Sequence, residues 1–523
     1  MISPKHHSPL NKSFFSKMQR VMPVIFLLSC ILQNEAICQL KWDYEWIIGI
    51  NDEDNTGAIG YKIDFNDGMR KLIETRSYKP IGMNNAMICN DDGELLFYAN
   101  GCEVMDTTGG LVENGGGINP GESHDTWCQY GVYLGPQNSM ILPGLRQDNY
   151  YYLHKDRVNE NGEFGQSAYS YNQLYTEIKI GPLDNYIIEK KNIKVDSLRD
   201  RQTGFSDAIL HDNGLDWWII DYIPQEAGGL RLNYKVDEEG IYLESETVYE
   251  NQNAIKRECS GGGQAVFSPR GDLYALYCPF TGIDIFNFNR STGEFTNHYH
   301  FSTNLNETNS GLAFSPNGRF LYVSSGDELH QFDLRVEDGA TDKFIKIAEY
   351  DGYLDPFPTN FAYMQIGPDC RIYMTSTNGV SSFHVINNPN EKGQDCNFVQ
   401  HGFELPIRNR PASIPNVPVF RFVGEEVCDP TITSVFDLPV EVVYDLELHP
   451  NPTTDEVIVG FPEDLRDGTL YVKSMNGQVV LSHQFDFSGS LNISLGDLDA
   501  GMYVVEVMSE GKRYVERVVL NQD

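Results

Sequence analysis

Two histidines separated by one residue, His298 and His300, are a first candidate for chemistry. Alternate side chains of a β-strand point to the same face, so both imidazoles could bind one metal ion. The surrounding sequence supplies no third ligand. We therefore interpret the pair as surface histidines on an outer strand, and we predict no metal site and no catalytic residue.

An acidic segment, residues 52–57, has the sequence Asp-Glu-Asp-Asn-Thr-Gly and is similar to the start of a calcium-binding loop. In such loops alternate oxygen ligands surround the ion, and glycine allows the sharp bend. Ile63 occupies the place of the glutamate that would bind the ion with both of its oxygens. We interpret the segment as an acidic turn between two strands, with a structural calcium ion as the alternative and no other cofactor.

The elements that would position a site are short strands joined by a recurring turn. Residues 262–274 and 309–322 each consist of an apolar strand, a Ser-Pro-x-Gly turn and a second strand. Proline fixes φ at the first turn position and glycine accepts a positive φ, so this tetrapeptide predicts a hairpin. Weaker copies turn near positions 92, 148, 213 and 369, and Cys370 stands at the glycine position of the last copy.

These hairpins predict an all-β fold, a β-propeller. The turns recur every roughly 47 to 66 residues, which suits blades with loop insertions. Six blades are legible. A seventh is predicted to be split between the two ends of this region, because strands at residues 46–50 and 57–65 lack inner partners that residues 413–422 could provide. Seven blades fit best, with six or eight as alternatives, and closing the ring would remove exposed sheet edges.

Polar residues at the starts of the inner strands are the candidate ligand-binding site. In a propeller these strands begin around the mouth of the axial channel, so we expect their side chains to converge there. The alternative is a structural role, in which the same groups cap strand ends and hold channel water. The candidates are Asn85, Asp207, Gln264, Ser310 and Asn360.

The charge of the chain excludes some partners. It has 74 Asp and Glu residues against 39 Lys and Arg residues, and its formal net charge is -35. Negative charge on this scale argues against nucleic acid and against anionic membrane surfaces as partners, because both would be repelled.

The N-terminal residues predict export. Basic residues precede an apolar run, residues 21–32, which is too short to span a bilayer and is typical of a secretory signal peptide, here residues 1–38. We expect no transmembrane segment after its cleavage. Eight cysteines would then remain, an even number that permits disulfide bonds in an exported chain. A hairpin turning at residues 269–271 would bring Cys259 close to Cys278, so we predict a disulfide bond between them.

The C-terminal residues, from 446 to 520, alternate apolar and polar side chains between Asp-Gly, Asn-Gly and Ala-Gly turns, which predicts strands throughout. Four motifs accompany these strands. Together they resemble the C-terminal sorting domain of the type IX (Por) secretion system of Bacteroidota, and this resemblance implies a small immunoglobulin-like β-sandwich. The residues that carry it are Pro450, Asn451, Pro452, Gly477, Gly501, Tyr503 and Lys512.

The predicted organisation is a signal peptide (1–38), a β-propeller (39–424), a linker (425–444) and a sorting domain (445–523). The family resemblance implies recognition by the type IX secretion translocon and removal by a sortase-like peptidase. It places the protein outside the cell, either secreted or attached to the outer cell surface. The phrase Phe-Ser-Pro-x-Gly-x-x-Leu-Tyr is similar to the repeats of WD40-like and YVTN/lactonase-like propellers, which implies the propeller class and no particular activity.

For the propeller, our leading hypothesis is a binding or interaction module with a glycan or a protein as its ligand. The alternative is a propeller hydrolase, lactonase-like or glycoside-active, with its site at the channel mouth. A divalent ion held by three or more axial side chains would favour the enzyme. A mouth that carries only amides, hydroxyls and glycine would favour binding.

Overall fold

The computed structural model describes most of the chain from Leu40 onward. The predicted signal peptide, the acidic segment 52–57, Cys259, Gly477 and most of the predicted linker lie outside the described residues. The described ranges are 40–49, 59–66, 70–76, 80–145, 149–162, 165–181, 185–196, 201–202, 204–225, 228–250, 262–303, 305, 310–406, 408, 413–420, 441–461, 465, 467–474, 479–486, 489–509 and 512–521.

In the described part of the chain, seven groups of antiparallel strands follow one another, and each is one blade of a propeller. Blade 1 consists of β1 (Glu45–Ile48), β2 (Ile59–Asp64) and β3 (Lys71–Arg76). Blade 2 consists of β4 (Ala86–Cys89), β5 (Leu95–Ala99), β6 (Glu103–Asp106) and β7 (Leu111–Gly116). Blade 3 consists of β8 (Ser139–Pro143), β9 (Asn149–Lys155), β12 (Gln173–Ile180) and β13 (Tyr186–Asp196). A side sheet at blade 3 consists of β10 (Val158–Gly162), β11 (Gly165–Ser170) and β14 (Arg201–Gln202), and a helix, α1 (Glu122–Trp127), precedes β8.

Blades 4 to 7 have four strands each, paired in chain order from the axis outward. Blade 4 has β15 (Asp207–Leu210), β16 (Trp217–Gln225), β17 (Gly228–Asp237) and β18 (Gly240–Glu250), and blade 5 has β19 (Gln264–Phe267), β20 (Leu273–Cys278), β21 (Gly282–Asn289) and β22 (Glu294–Phe301). Blade 6 has β23 (Leu312–Phe314), β24 (Phe320–Ser325), β25 (Glu328–Asp333) and β26 (Phe344–Glu349). Blade 7 has β27 (Met364–Ile366), β28 (Ile372–Met374), β29 (Ser382–Ile386) and β30 (Phe398–Glu404).

The recurring turns form because their last residue takes a left-handed conformation. Gly271 and Gly318 have φ values of 71° and 69°, and the N–H of each donates to the carbonyl of the serine that opens its turn, at 2.8 Å. Cys370 occupies the same position with φ at 63°. A positive φ strains a residue with a Cβ, so the cysteine is held there by the hairpin around it.

Shared hydrophobic cores close the ring of blades. Trp46 of β1, Tyr98 of β5 and Tyr373 of β28 belong to one buried cluster, which joins blade 1 to both blade 2 and blade 7. Further clusters join blades 2, 3 and 4, blades 4 and 5, blades 5 and 6, and blades 6 and 7. The series of cores therefore passes through all seven blades and returns to the first, which confirms the predicted propeller.

Residues 413–420, here called the axial segment, run through the ring in the direction of the inner strands. The Asn416 N–H donates to the carbonyl of Asn85, just before β4, at 2.9 Å. Four residues later Phe420 meets the ring of Trp217, where β16 begins at the opposite end of the ring, with 5.7 Å between centroids. The segment therefore lies inside the ring, in contact with blades 2 and 4.

The predicted pairing of the axial segment is wrong, because it forms no ladder with β1 in the described part of the chain. Pro415 and Pro418 have no N–H to donate, and proline is poorly tolerated inside a sheet. A parallel bridge joins Val419 to Ile209 of β15. The segment thus fills the axis between blades and is not a regular strand of one blade.

A C-terminal sandwich follows the propeller. Its strands are β32 (Glu447–His449), β33 (Glu456–Gly460), β34 (Gly468–Ser474), β35 (Val479–Phe485), β36 (Ser490–Ser494), β37 (Gly501–Ser509) and β38 (Lys512–Leu520). Strands β32, β33 and β36 form one sheet, and β38, β37, β34 and β35 are neighbours in another. Alternate apolar side chains of both sheets, such as Val457, Leu470 and Val505, form one buried core between them.

A short strand, β31 (Glu441–Asp445), connects a sheet of the propeller with a sheet of the sandwich. It pairs in parallel with β3 and, further along, in parallel with β38. Blade 1 and the larger sheet of the sandwich therefore belong to one eight-stranded sheet. The end of the predicted linker is thus a β-strand.

Four of the described cysteines are disulfide-bonded. Cys102, in the turn after β5, is bonded to Cys128 at the end of α1, which the sequence did not predict. Cys278 and Cys370 are also disulfide-bonded, whereas Cys89 and Cys396 are free and buried. Since Cys259 lies outside the described residues, its bond to Cys278 stays a prediction.

Candidate binding site in the channel and on the upper face

Glutamine side chains connect the inner strands of blades that do not pair directly. Gln264 donates from Nε2 to the carbonyl of Met364 at 2.7 Å, and its Oε1 accepts from the N–H groups of Leu312 and Met364 at 2.9 and 3.1 Å. One buried amide thereby joins blades 5, 6 and 7. This predicted site residue is engaged in holding the ring together.

Gln137 has the same role and was not predicted. Its Oε1 accepts from the Ala265 N–H at 2.9 Å, and its Nε2 donates to the Ala265 carbonyl at 2.8 Å. Gln137 lies just before β8, the inner strand of blade 3. The other candidates occupy the same place in their own blades, just before the inner strand or at its first residue. That position was the signal in the sequence that could have found it.

Asp207 is buried at the start of β15, with 5% of its surface exposed. Its two carboxylate oxygens accept from the N–H groups of Phe267 and Ala208, each at 2.8 Å. Burial raises the pKa of Asp207 to about 7, and the two backbone hydrogen bonds oppose this shift without cancelling it. Near neutral pH this carboxyl can therefore gain or lose a proton.

The other three candidates are engaged with their neighbours. Asn85 donates from Nδ2 to the carbonyl of Ile47 at 2.8 Å. Ser310 is fully buried, and its N–H donates to the Gly262 carbonyl at 3.2 Å. Asn360 accepts from the hydroxyl of Thr377 at 2.5 Å.

A cavity of about 60 Å³ remains at the axis. Of the five predicted residues, Asp207 alone lines it, together with Asp43, Gln137, Gln365 and the axial segment. Asn416 of that segment donates from Nδ2 to the Ser139 carbonyl at 3.0 Å. The structure thus does not bring the five candidates together at one open mouth.

A buried ion pair lies between blades 3 and 4. The Lys155 Nζ is 2.7 Å from the Asp221 Oδ1, and both side chains are fully buried. Lys155 also donates to the Gly204 carbonyl at 3.0 Å. Because charges in the interior must be compensated locally, each partner here makes the burial of the other tolerable.

The two histidines lie on β22, the outer strand of blade 5, as predicted. Both are hydrogen-bonded to one oxygen of buried Asp284, His298 through Nε2 at 2.7 Å and His300 through Nδ1 at 3.0 Å. Burial acts to raise the pKa of Asp284, but the hydrogen bonds from both imidazoles outweigh it and lower the pKa below its usual value. Among the described residues, no three His, Cys, Asp or Glu side chains are arranged to hold a metal ion.

The end of the ring at which the inner strands begin, here called the upper face, carries the exposed aromatic rings. Four large aromatic side chains in the described part of the chain are strongly exposed: Tyr130, Phe280, Tyr353 and Phe357. The first lies between β7 and β8, the second in the turn from β20 to β21, and the last two between β26 and β27. All of these connections are at the upper face.

The C-terminal sandwich contacts the opposite end. Arg517 of β38 forms an ion pair with Glu94, which lies in the turn from β4 to β5. Turns between the first and second strands of a blade lie at the lower face, so this contact is at the end opposite the exposed aromatic rings.

The predicted sorting residues are built into the sandwich. Asn451 donates from Nδ2 to the Arg517 carbonyl at 2.7 Å and accepts from the Val519 N–H at 2.9 Å. It is flanked by Pro450 and Pro452, each preceded by a cis peptide bond. Residues 447–521 match the secretion system C-terminal sorting domain.

Within this sorting domain, Gly501 begins β37 and Lys512 begins β38. The hydroxyl of Tyr503 donates to the Asp499 carbonyl at 2.7 Å, which fixes the turn before β37. The sorting domain indicates a protein that is secreted or held on the outer cell surface, and it implies interaction with the type IX secretion system. No helix in the described part of the chain is long and apolar enough to cross a membrane.

Comparison with other proteins adds the following. No curated protein matches the sequence. Similar solved structures include a protein from Lactobacillus plantarum, with 10% identity and a TM-score of 0.34, covering 87% of this chain and 99% of that chain. They include PorZ of Porphyromonas gingivalis, an essential surface component of the type-IX secretion system, with 10% identity, a TM-score of 0.27, and 89% and 69% covered. A gluconolactonase from Xanthomonas campestris has 12% identity, a TM-score of 0.27, and 65% and 85% covered.

Proposed function

We propose that this protein is a binding module, exported by the type IX secretion system, whose propeller presents its upper face to a glycan or a protein. The observation that carries the proposal is the axial segment. It occupies the channel, and its residues from Asn416 to Phe420 line the cavity of about 60 Å³ that remains there. The exposed aromatic rings, by contrast, gather at the upper face, opposite the end that Arg517 of the sorting domain contacts.

The test is direct binding of the mature chain, from residue 39 to the C-terminus, to a glycan array and to a displayed peptide library. We expect at least one ligand whose binding is blocked when a bulky group is attached to a cysteine introduced on the upper face, in place of Tyr130. The matched control carries the same group in place of Leu215, an exposed residue of the lower face. Ligands that are blocked equally at both faces, or no ligand at all, would contradict the proposal.

A hydrolase is the second candidate, and Asp207 is the observation that favours it. Its carboxyl lines the cavity, and its pKa of about 7 is suited to general acid or base catalysis near neutral pH. If this candidate is correct, hydrolysis of some member of a lactone and glycoside panel should fall by about a hundredfold or more in the Asp207→Asn variant. Hydrolysis that is absent, or unchanged by the substitution, would remove this candidate.

For the sorting domain, we propose that the secretion translocon recognises it and that a sortase-like peptidase removes it. Truncation of the chain after Tyr444 should then leave the propeller inside the cell envelope, as measured by immunoblots of medium and cell fractions. Normal secretion of the truncated chain would refute the sorting role.

A further inference from the structure

We infer that one loop of the upper face is a preformed docking element for a protein partner. This loop, here called the aromatic loop, comprises residues 351–359 between β26 and β27. Its apolar side chains are unusually exposed for a folded domain: Tyr353 by 53%, Leu354 by 59% and Phe357 by 48%. The inference rests on the proposed binding function and narrows it to one loop and one class of ligand.

The three side chains belong to one tight turn. Leu354 bridges Pro358 in an antiparallel pair, and the Asp355 N–H donates to the Phe357 carbonyl at 2.9 Å. Tyr353, Leu354 and Phe357 are therefore gathered in one tight turn, and all three side chains are exposed there. Contiguous exposed apolar groups on a soluble protein usually mark an interaction site.

The turn is held rigidly from its own base. The Tyr353 N–H donates to the carboxylate of Asp351 at 2.9 Å, and the hydroxyl of Tyr350 donates to the Tyr353 carbonyl. The Thr359 hydroxyl donates to that same carbonyl at 3.0 Å. The loop thus closes on itself at both ends.

Neighbouring loops hold the turn as well. The Ser381 N–H donates to the Asp355 carboxylate, and Asn378 donates from Nδ2 to the Pro358 carbonyl, each at 2.9 Å. His401 of β30 lies 3.2 Å from the Asp351 carboxylate. A segment fixed by so many polar contacts loses little conformational entropy when it binds, which is the property of a preorganised binding element.

The chemistry of the surface favours a protein over a glycan as the occupant. Sugar rings stack on flat aromatic faces, but an exposed leucine between two aromatic residues matches an apolar pocket of a protein. Acidic side chains, Asp351, Asp327 and Glu349, are exposed at the base of the loop and its neighbours. With a net charge of -35 on the whole chain, the complementary surface is an apolar pocket bordered by Lys and Arg.

The same charge argues against a second copy of this chain as the occupant, since two such surfaces would repel each other. A random peptide library displayed on phage is a suitable probe for the partner. Selection on the mature chain should enrich peptides that combine aliphatic or aromatic residues with Lys or Arg. Synthetic versions should bind at least tenfold more weakly to the Leu354→Ala and Phe357→Ala variants, and normally to Leu215→Ala, a matched loss of an exposed leucine at the lower face.

Each substitution is at an exposed position, so the midpoint of thermal unfolding should stay unchanged. If the midpoint shifts in one variant, the peptide affinities of the other two variants decide the test. Peptides that bind all variants equally would overturn the docking element but leave a binding module in place. Glycan-array signals that are lost in the Phe357→Ala variant, without any enriched peptide, would overturn the protein partner. Failure to obtain any peptide or glycan ligand would overturn both this inference and the proposed function.

Discussion

We predict that the Asp207→Asn variant gains stability relative to the wild type as the pH rises. The quantity compared is the difference in free energy of unfolding between the two proteins. Burial raises the folded-state pKa of Asp207 to about 7 from its usual value of 3.8. The folded state therefore retains a proton that the unfolded state has already lost between these two values. Wild-type stability must fall as the pH rises through that interval, because the unfolded state binds fewer protons there.

The magnitude follows from the two pKa values. Between about pH 4.5 and about pH 8.5, ionisation of Asp207 should cost the wild-type folded state about 3 kcal/mol. Asparagine carries no charge, so the variant avoids this cost. It loses one of the two hydrogen bonds from Phe267 and Ala208. That loss, about 1–3 kcal/mol, is nearly independent of pH and cancels when the two pH values are compared.

The assay is chemical denaturation of wild type and variant at both pH values. Other buried groups titrate equally in the two proteins. His154, whose pKa is lowered to about 3 by burial, destabilises both as the pH falls below its usual value, and its contribution cancels in the difference. A difference between variant and wild type that changes by less than about 1 kcal/mol between the two conditions would refute the reasoning that Asp207 is buried and protonated near neutral pH.

The remaining predictions concern buried pairs and bridges. Asp221→Asn should reduce the free energy of unfolding by about 3–5 kcal/mol in denaturant titrations, since Lys155 would keep its charge without its buried counter-ion; a loss below about 1 kcal/mol would contradict this. Gln264→Met should cost about 3 kcal/mol or more, because three buried backbone groups lose their partner. Gln365→Met, at a residue with only weak contacts of 3.5 Å, is the control and should cost much less. Asn451→Ala should accelerate hydrogen exchange at the Val519 amide in the full chain, and unchanged protection there would show that the bridge is unimportant.

The sequence predicted the blades because their turns obey local rules. A Ser-Pro-x-Gly turn needs a proline at one position and a left-handed residue at another, and both requirements are visible in the letters. The turn at Cys370 could be recognised even without its glycine, and its φ of 63° agrees. The alternating strands of the sorting domain were predictable for the same reason, since burial on one face gives a period of two.

The candidate site was less predictable because it depends on distances across the ring. Whether Gln264 reaches a ligand or the backbone of blade 7 is decided by the radius of the channel, and no local pattern encodes it. The aromatic loop also has no signal of its own, because exposed and buried aromatic residues look alike in a sequence so rich in them. The prolines of the axial segment did indicate, in retrospect, that residues 413–420 could not pair as an ordinary strand.

The position of the axial segment also sets an order of events during synthesis. Blades 2 and 4 are made early, yet the axial segment, which contacts them at Asn85 and Ile209, leaves the ribosome only after all seven blades. Until the axial segment has been made, the channel of the propeller lacks it. Contacts between residues so distant in sequence form slowly. The sorting domain follows the axial segment within a few dozen residues of the chain. The propeller is therefore completed at nearly the same time as the domain that directs its export is made.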